Sequence, residues 1–166
     1  MFDISSIANG KQEEFYQSLH DFVQGIMYDE EDLIANLANV ASLLYNTMEN
    51  VNWAGFYLLK KEELVLGPFH GKPACIRIKV GEGVCGTAVS TGQTQRVDNV
   101  HLFEGHIPCD GDTNSEIVIP IYKKNEVVAV LDIDSPILHR FNEVDQRELE
   151  KITRYLSDGC NWEVTR

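Results

Sequence analysis

The chain has 166 residues, the length of one ordinary domain, and its 43% hydrophobic and 24% charged residues are enough for a folded core, which excludes a disordered segment. A formal net charge of −12 repels polyanions, so nucleic acid and anionic membrane are excluded as expected partners and a small molecule or a protein is left. No apolar run approaches the ~18 residues of a membrane helix, and the opening MFDISSIANGKQEEF lacks the basic and then apolar pattern of a leader, so a cytoplasmic protein is expected.

In chain order, Phe15, Leu19, Phe22, Val23 and Ile26 recur at helical spacing and predict an amphipathic helix over 11–28. Asp29 offers an N-cap to a second helix with Leu33, Ile34, Leu37, Ala41 and Leu44 inward. The texture then changes to short aromatic and aliphatic runs, VNWAGFYLLK, ELVLGPF and ACIRIKV, read as strands of a meander with Cys75 beginning the third. GEGVCGTAVSTGQ is a small-residue helix opened by Gly83 and closed by Gly92, with Cys85 at its start. TQRVDNV is a short strand before a long loop, 98–114. SEIVIPIYKKNEVVAVLDIDS is a strand hairpin, and Asn142 caps a last helix with Val144, Leu149, Ile152 and Leu156 inward and Cys160 near its end as a packing residue. No linker or repeat divides the chain, so residues 1–166 are expected to form a single α+β domain with an antiparallel sheet.

Four cysteines in a reducing compartment are poor candidates for permanent disulfides, which leaves packing, metal binding or redox chemistry. Cys109 lies in the polar loop stretch HIPCDGDTNSEI, where packing asks for no thiol. Asp110 and Asp112 beside it raise rather than lower a thiol pKa; His106, three residues upstream, could assist the thiol but reads first as a solvated loop histidine. Asp132 and Asp134 stand two apart in LDIDS, hence on one strand face together with Val128 and Val130; two acids on an apolar face ask for a cation. Trp53 and Tyr57 share a face of their strand with Gly55 between them, a slot floored by rings.

The stretches GEGVCGTAVSTGQTQRVDNV, SEIVIPI, VVAVLDIDSP and FNEVDQRELEKI resemble a GAF domain along nearly the whole chain. The combination NWAGFY, three cysteines in the middle third, IPCDG, SEIVIPI and LDIDS is similar to the free methionine-(R)-sulfoxide reductases, the stand-alone catalytic branch of that family. The resemblance implies a GAF-like fold with a central antiparallel sheet of about six strands, helices on one face and a ligand pocket on the other. It also implies reduction of free methionine sulfoxide, with thioredoxin as external reductant and no bound cofactor or metal. By its place in IPCDG, Cys109 is the expected attacking thiol, Cys75 the main resolving thiol and Cys85 an alternative or relay. Glu116, buried beside other carboxylates, is expected to keep a proton for the sulfoxide oxygen; Asp132 and Asp134 would hold the substrate ammonium, and Trp53 and Tyr57 its methyl end.

This assignment makes a geometric demand. A two-residue turn at Lys124 and Asn125 sets Glu116 opposite Ile133, on the wrong face, whereas a three-residue loop with Asn125 in a left-handed bulge sets it opposite Asp132. The site requires the second register or an irregular strand start. Two rival readings stand beside the reductase. One is a metal site drawn from His70, Cys75, Cys85, His101, His106 and Cys109, which lack the usual CxxC or paired-His spacing; the other is a non-enzymatic GAF ligand sensor. Pairing of the first helix in a homodimer is open on either reading.

Overall fold

The computed structural model describes residues 4–7 and 10–165, so the expected lack of a leader lies partly outside the described residues. Strands β1 (Trp53–Lys60), β2 (Glu63–Gly71), β3 (Arg77–Lys79), β4 (Gln95–Val97), β5 (Ser115–Lys123) and β6 (Glu126–Ser135) form one antiparallel sheet in the order β3-β2-β1-β6-β5-β4. Helices α1 (Gln12–Ile26), α2 (Leu33–Thr47) and α4 (Glu143–Gly159) belong to one face, and the short α3 (Gly83–Thr91) lies on the other.

Strand periodicity explains the division. Ala54, Phe56 and Leu58 of β1, with Leu131 and Ile133 of β6, enter the core shared with the three long helices. Trp53 and Tyr57 of β1 and Val130 of β6 point to the opposite face, where they meet Val84, Cys85 and Ala88 of α3. Helix α1 buries Tyr16, Leu19 and Val23 in that core, with Phe15, Phe22 and Ile26 partly buried against it.

Helix ends follow local chemistry, with two departures from the sequence reading. Asp29 is not the cap of α2: it sits in a left-handed turn at φ 56°, and Asp32 caps instead, accepting from the Ala35 amide at 2.8 Å. Leu33, Leu37, Ala41 and Leu44 are buried as expected, whereas Ile34 is half exposed and Val40 and Leu43 join the inner face. Gly92 takes the left-handed position closing α3, at φ 65°. Asn142 accepts from the amides of Val144 and Asp145, while Asp145 accepts from the Asn142 amide, a capping box for α4. The same buried Asp145 receives the Tyr16 hydroxyl at 2.6 Å and pairs with Arg140, tying α1 to α4. Cys160 is the residue after α4 rather than within it, buried in the core with Asn36 donating to its sulfur.

The hairpin register resolves the demand on Glu116 by a route the sequence reading did not take. The turn has two residues, with Lys124 and Asn125 both left-handed and Lys123 opposite Glu126. Tyr122 pairs with Val127 and Ile121 with Ala129, so Val128 is an extra residue that shifts the ladder by one. Glu116 therefore faces Asp134, not Asp132, and Val118 faces Asp132. The bulge also turns Val128 away from the acids, against the helix-side core.

Candidate active site

Two rows of side chains cross the sheet on the α3 face. Trp53, Asp134 and Glu116 are register partners across β1, β6 and β5, and Gly55 and Val118 flank Asp132 in the next row. All three expected acids thus share one face within two rungs, under α3 and the loop that carries Cys109. They line a cavity of about 40 Å³ together with Trp53, Tyr57, Cys85, His106 and Cys109.

Burial sets the protonation there. Glu116 and Asp132 are each 6% exposed. Desolvation, then the charges of Asp132 and Asp134, push Glu116 well above the ordinary carboxylate range. Asp132 rises to about 7 through desolvation, against hydrogen bonds from Cys85 and Glu116 that favour its ionised form. Asp134 is also raised, by desolvation and by Asp132, while a Thr113 hydrogen bond works the other way. Burial thus favours a protonated carboxyl at Glu116, while the hydrogen bonds from Cys85 and Glu116 make Asp132 an acceptor of the group. Asp132 Oδ1 is buried without a hydrogen-bond partner, an acceptor without a donor.

Cys75 and Cys109 form a disulfide, with Cα atoms 5.6 Å apart. Cys75 does not begin β3; it lies in the 72–76 connection before Arg77, where Pro73 has no amide to offer a ladder. Tyr57 donates its hydroxyl to the Cys75 carbonyl at 2.9 Å, and Trp53 Nε1 donates to the Lys72 carbonyl at 3.1 Å. The aromatic pair therefore fastens the Cys75 connection as well as walling the cavity. The slot at Gly55 is not open: Phe69 is its register partner, and Trp53 stacks on Phe69 at 5.2 Å and on Tyr57 at 5.9 Å between centroids.

On the other side of the disulfide, Asp110 accepts from Asn52 at 3.2 Å, from the Asp112 amide at 3.0 Å and from Lys72 at 3.4 Å. The Asp112 amide, with Lys72 and Asn52, holds Asp110 below the ordinary carboxylate value. Lys72 also bonds Asp112, so the two acids that follow Cys109 are drawn to one cation in the connection that carries Cys75. His106 is not a solvated loop residue: it stands 3.9 Å from Glu116, and burial lowers its pKa, so it is neutral there. Lys72, Asn52, Thr113 and Phe69 were missed from sequence; the HGKPAC stretch gave Lys72 a place near Cys75, but nothing local links it to Asp110. Cys85 remains a free thiol, buried, bonded to Asp132 and pushed well above the ordinary thiol value by burial and the nearby acids.

The sheet order, α3 over one face and the cysteine pair over buried acids define a GAF fold equipped for thiol chemistry. A family model described as "GAF domain" matches residues 29–159. The chain is 50% identical, over 86% of its length and 87% of the relative's, to the free methionine-R-sulfoxide reductase of Escherichia coli. Among solved structures, the reduced fRMsr of Staphylococcus aureus superposes with a TM-score of 0.86 at 46% identity, covering 91% of this chain and 96% of that one. The free methionine-R-sulfoxide reductase of Neisseria meningitidis in complex with its substrate superposes at 0.88 and 36%, covering 92% of each. The chain belongs to the GAF domain family and, within it, to the group of the free methionine-R-sulfoxide reductases.

Proposed function

We propose that this protein reduces free L-methionine-(R)-S-oxide to methionine, with residues 1–166 acting as one domain. The observation that carries the reading is the Cys75–Cys109 pair closed above Glu116, Asp132 and Asp134. The R epimer is taken from the names of the relatives. The Cys109 thiolate attacks the sulfoxide sulfur while the Glu116 carboxyl gives its proton to the oxygen. Methionine leaves and Cys109 holds the oxygen as sulfenic acid; the Cys75 thiol then displaces water and closes the disulfide, so two thiols supply the two electrons. The substrate ammonium settles against Asp132 and Asp134, where the unpartnered Asp132 oxygen gains a donor. Trp53 and Tyr57 wall the methyl end.

The 5.6 Å Cα separation supports Cys75 as the resolving thiol, and the hydrogen bond and high pKa of Cys85 favour a role for it in supporting Asp132 rather than as a relay. A cavity of about 40 Å³ is far below the ~300 Å³ at which ligand pockets begin. The disulfide form is therefore the product state, and reduction must free the Cys109 loop before another substrate enters. Thioredoxin, acting on that disulfide in the cytoplasm, completes the cycle, and the scheme calls on no cofactor.

The test is a coupled thioredoxin and NADPH assay comparing the R and S sulfoxides of free methionine, an N-acetylated analogue and Cys109→Ser. Turnover of the free R epimer alone, lost in Cys109→Ser, is expected. Equal turnover of the N-acetylated compound would remove the ammonium site from the scheme, and no turnover by folded, reduced protein would favour a ligand sensor.

A further inference from the structure

Beyond the cysteine chemistry, the pocket holds a donor set that the scheme uses for a proton and for the substrate ammonium. Cys85 Sγ and one carboxylate oxygen each from Glu116 and Asp132 lie within 4.8 Å of one another, and all three residues are buried. None of them belongs to the Cys75–Cys109 disulfide. Hydrogen bonds join Cys85 and Glu116 to Asp132, so protons occupy the space between the donor atoms. The second Asp132 oxygen is buried without a partner.

We propose that Cys85, Glu116 and Asp132 form a binding site for a borderline-soft divalent cation, with Zn²⁺ as the fitting ion, and that occupancy inhibits the protein.

One thiolate and two carboxylates suit zinc, whose bonds to sulfur and carboxylate oxygen run to ~2.3 and ~2.0–2.2 Å. Donor atoms around such an ion stand closer together than the 4.8 Å limit, so small side-chain rotations bring all three into place. The donors come from three elements, α3, β5 and β6, and two of those are adjacent strands of the sheet, which fixes two of the donors relative to each other. Zn²⁺ replaces the Cys85 thiol proton and the proton shared by the carboxylates, releasing ~2 protons to solvent, so the exchange leaves the charge of the three groups unchanged. That neutrality matters beside Asp134 and a neutral His106, because no added charge has to be buried. A cavity of about 40 Å³ admits an ion with a water, and the thiolate discriminates against Mg²⁺ and Ca²⁺, which take oxygen donors and give up water reluctantly. If the proposed function holds, the ion takes Asp132, one of the two acceptors of the substrate ammonium, together with the Glu116 proton, which makes it an inhibitor competitive with the sulfoxide.

The test uses oxidised protein, in which Cys75 and Cys109 cannot ligate. Equilibrium dialysis with ZnCl₂, and titration with CoCl₂ as a spectroscopic probe, are run on wild type, Cys85→Ala, Asp132→Asn and Cys160→Ala, with circular dichroism to confirm folding. One ion per chain and a near-ultraviolet thiolate-to-cobalt band are expected in wild type and Cys160→Ala. The band is expected to vanish in Cys85→Ala, and Zn²⁺ affinity to fall at least ~10-fold in Asp132→Asn. No binding by wild type, a band that survives Cys85→Ala or is lost in Cys160→Ala, or unchanged affinity in Asp132→Asn overturns the site. Binding is read without substrate, so its failure is separate from that of the reductase reading, which the turnover assay judges.

Discussion

Replacing Asp132 by Asn keeps the shape of the side chain and removes one charge from the buried group. Burial moves Asp132 from an ordinary 3.8 to about 7, and each tenfold change in proton affinity corresponds to ~1.4 kcal/mol. Ionising it at pH 8 therefore costs the substrate-free fold at most ~4 kcal/mol, and since Glu116 and Asp134 relax when it is gone, a net ~2 kcal/mol is the working figure. A raised carboxyl pKa means that the folded state binds more protons than the unfolded state between 3.8 and 7, so stability is lost as pH rises through that window. At pH 5 only about a third of the loss has accrued. Whatever the exchange of hydroxyl for amide costs is common to both conditions and cancels. Thermal unfolding of oxidised, substrate-free protein should thus show Asp132→Asn, relative to wild type, roughly 3–5 °C better at pH 8 than at pH 5. An equal difference at the two pH values, or a larger gain at pH 5, would refute the assignment of Asp132 as a buried carboxylate opposed by its neighbours.

Three further outcomes are expected. Cys75→Ser should give a burst of one methionine per chain and then stop, with a sulfenic acid at Cys109 captured by dimedone and seen by mass spectrometry. Gly55→Ala sets a Cβ 2.3 Å from that of Phe69 and 2.8 Å from the Trp53 ring, so it should lose ~1–3 kcal/mol in urea unfolding and lower kcat/KM by displacing Trp53. Tyr16→Phe removes the 2.6 Å hydrogen bond to buried Asp145 on the far side of the sheet, and should destabilise by ~1–3 kcal/mol in urea with kcat/KM unchanged.

The register of β5 against β6 shows where local reading stops. Lys124 and Asn125 admit a two-residue turn or a three-residue loop, and from sequence Glu116 needs the longer one, or an irregular strand start, to reach its site. The chain uses the shorter turn and corrects the face with an extra residue at Val128, whose position in the ladder depends on which side of the sheet has room for its side chain. Phe69 was missed for a similar reason: its ring fills the gap above Gly55 only because β2 is bulged against β1 between Gly55 and Tyr57. Cys75 reads as a strand residue from its neighbours, yet Pro73 and the anchors from Trp53 and Tyr57 keep it in a connection.

The sequence by itself determined the elements and their faces, because periodicity, caps and turn residues act within a few positions of the chain: the Asn142 cap, Gly92 after α3, the alternation of β1, and the paired acids of LDIDS. It also singled out Cys109 as a thiol without a packing reason. Only the tertiary structure decided what those residues meet. That Cys109 reaches Cys75, that Lys72 and Asn52 gather the acids beside it, and that the carboxyl of Glu116 is pushed toward its protonated form depend on contacts between segments tens of residues apart and on the desolvation they create together. Burial is a property of the assembled fold, and no single stretch of chain carries it.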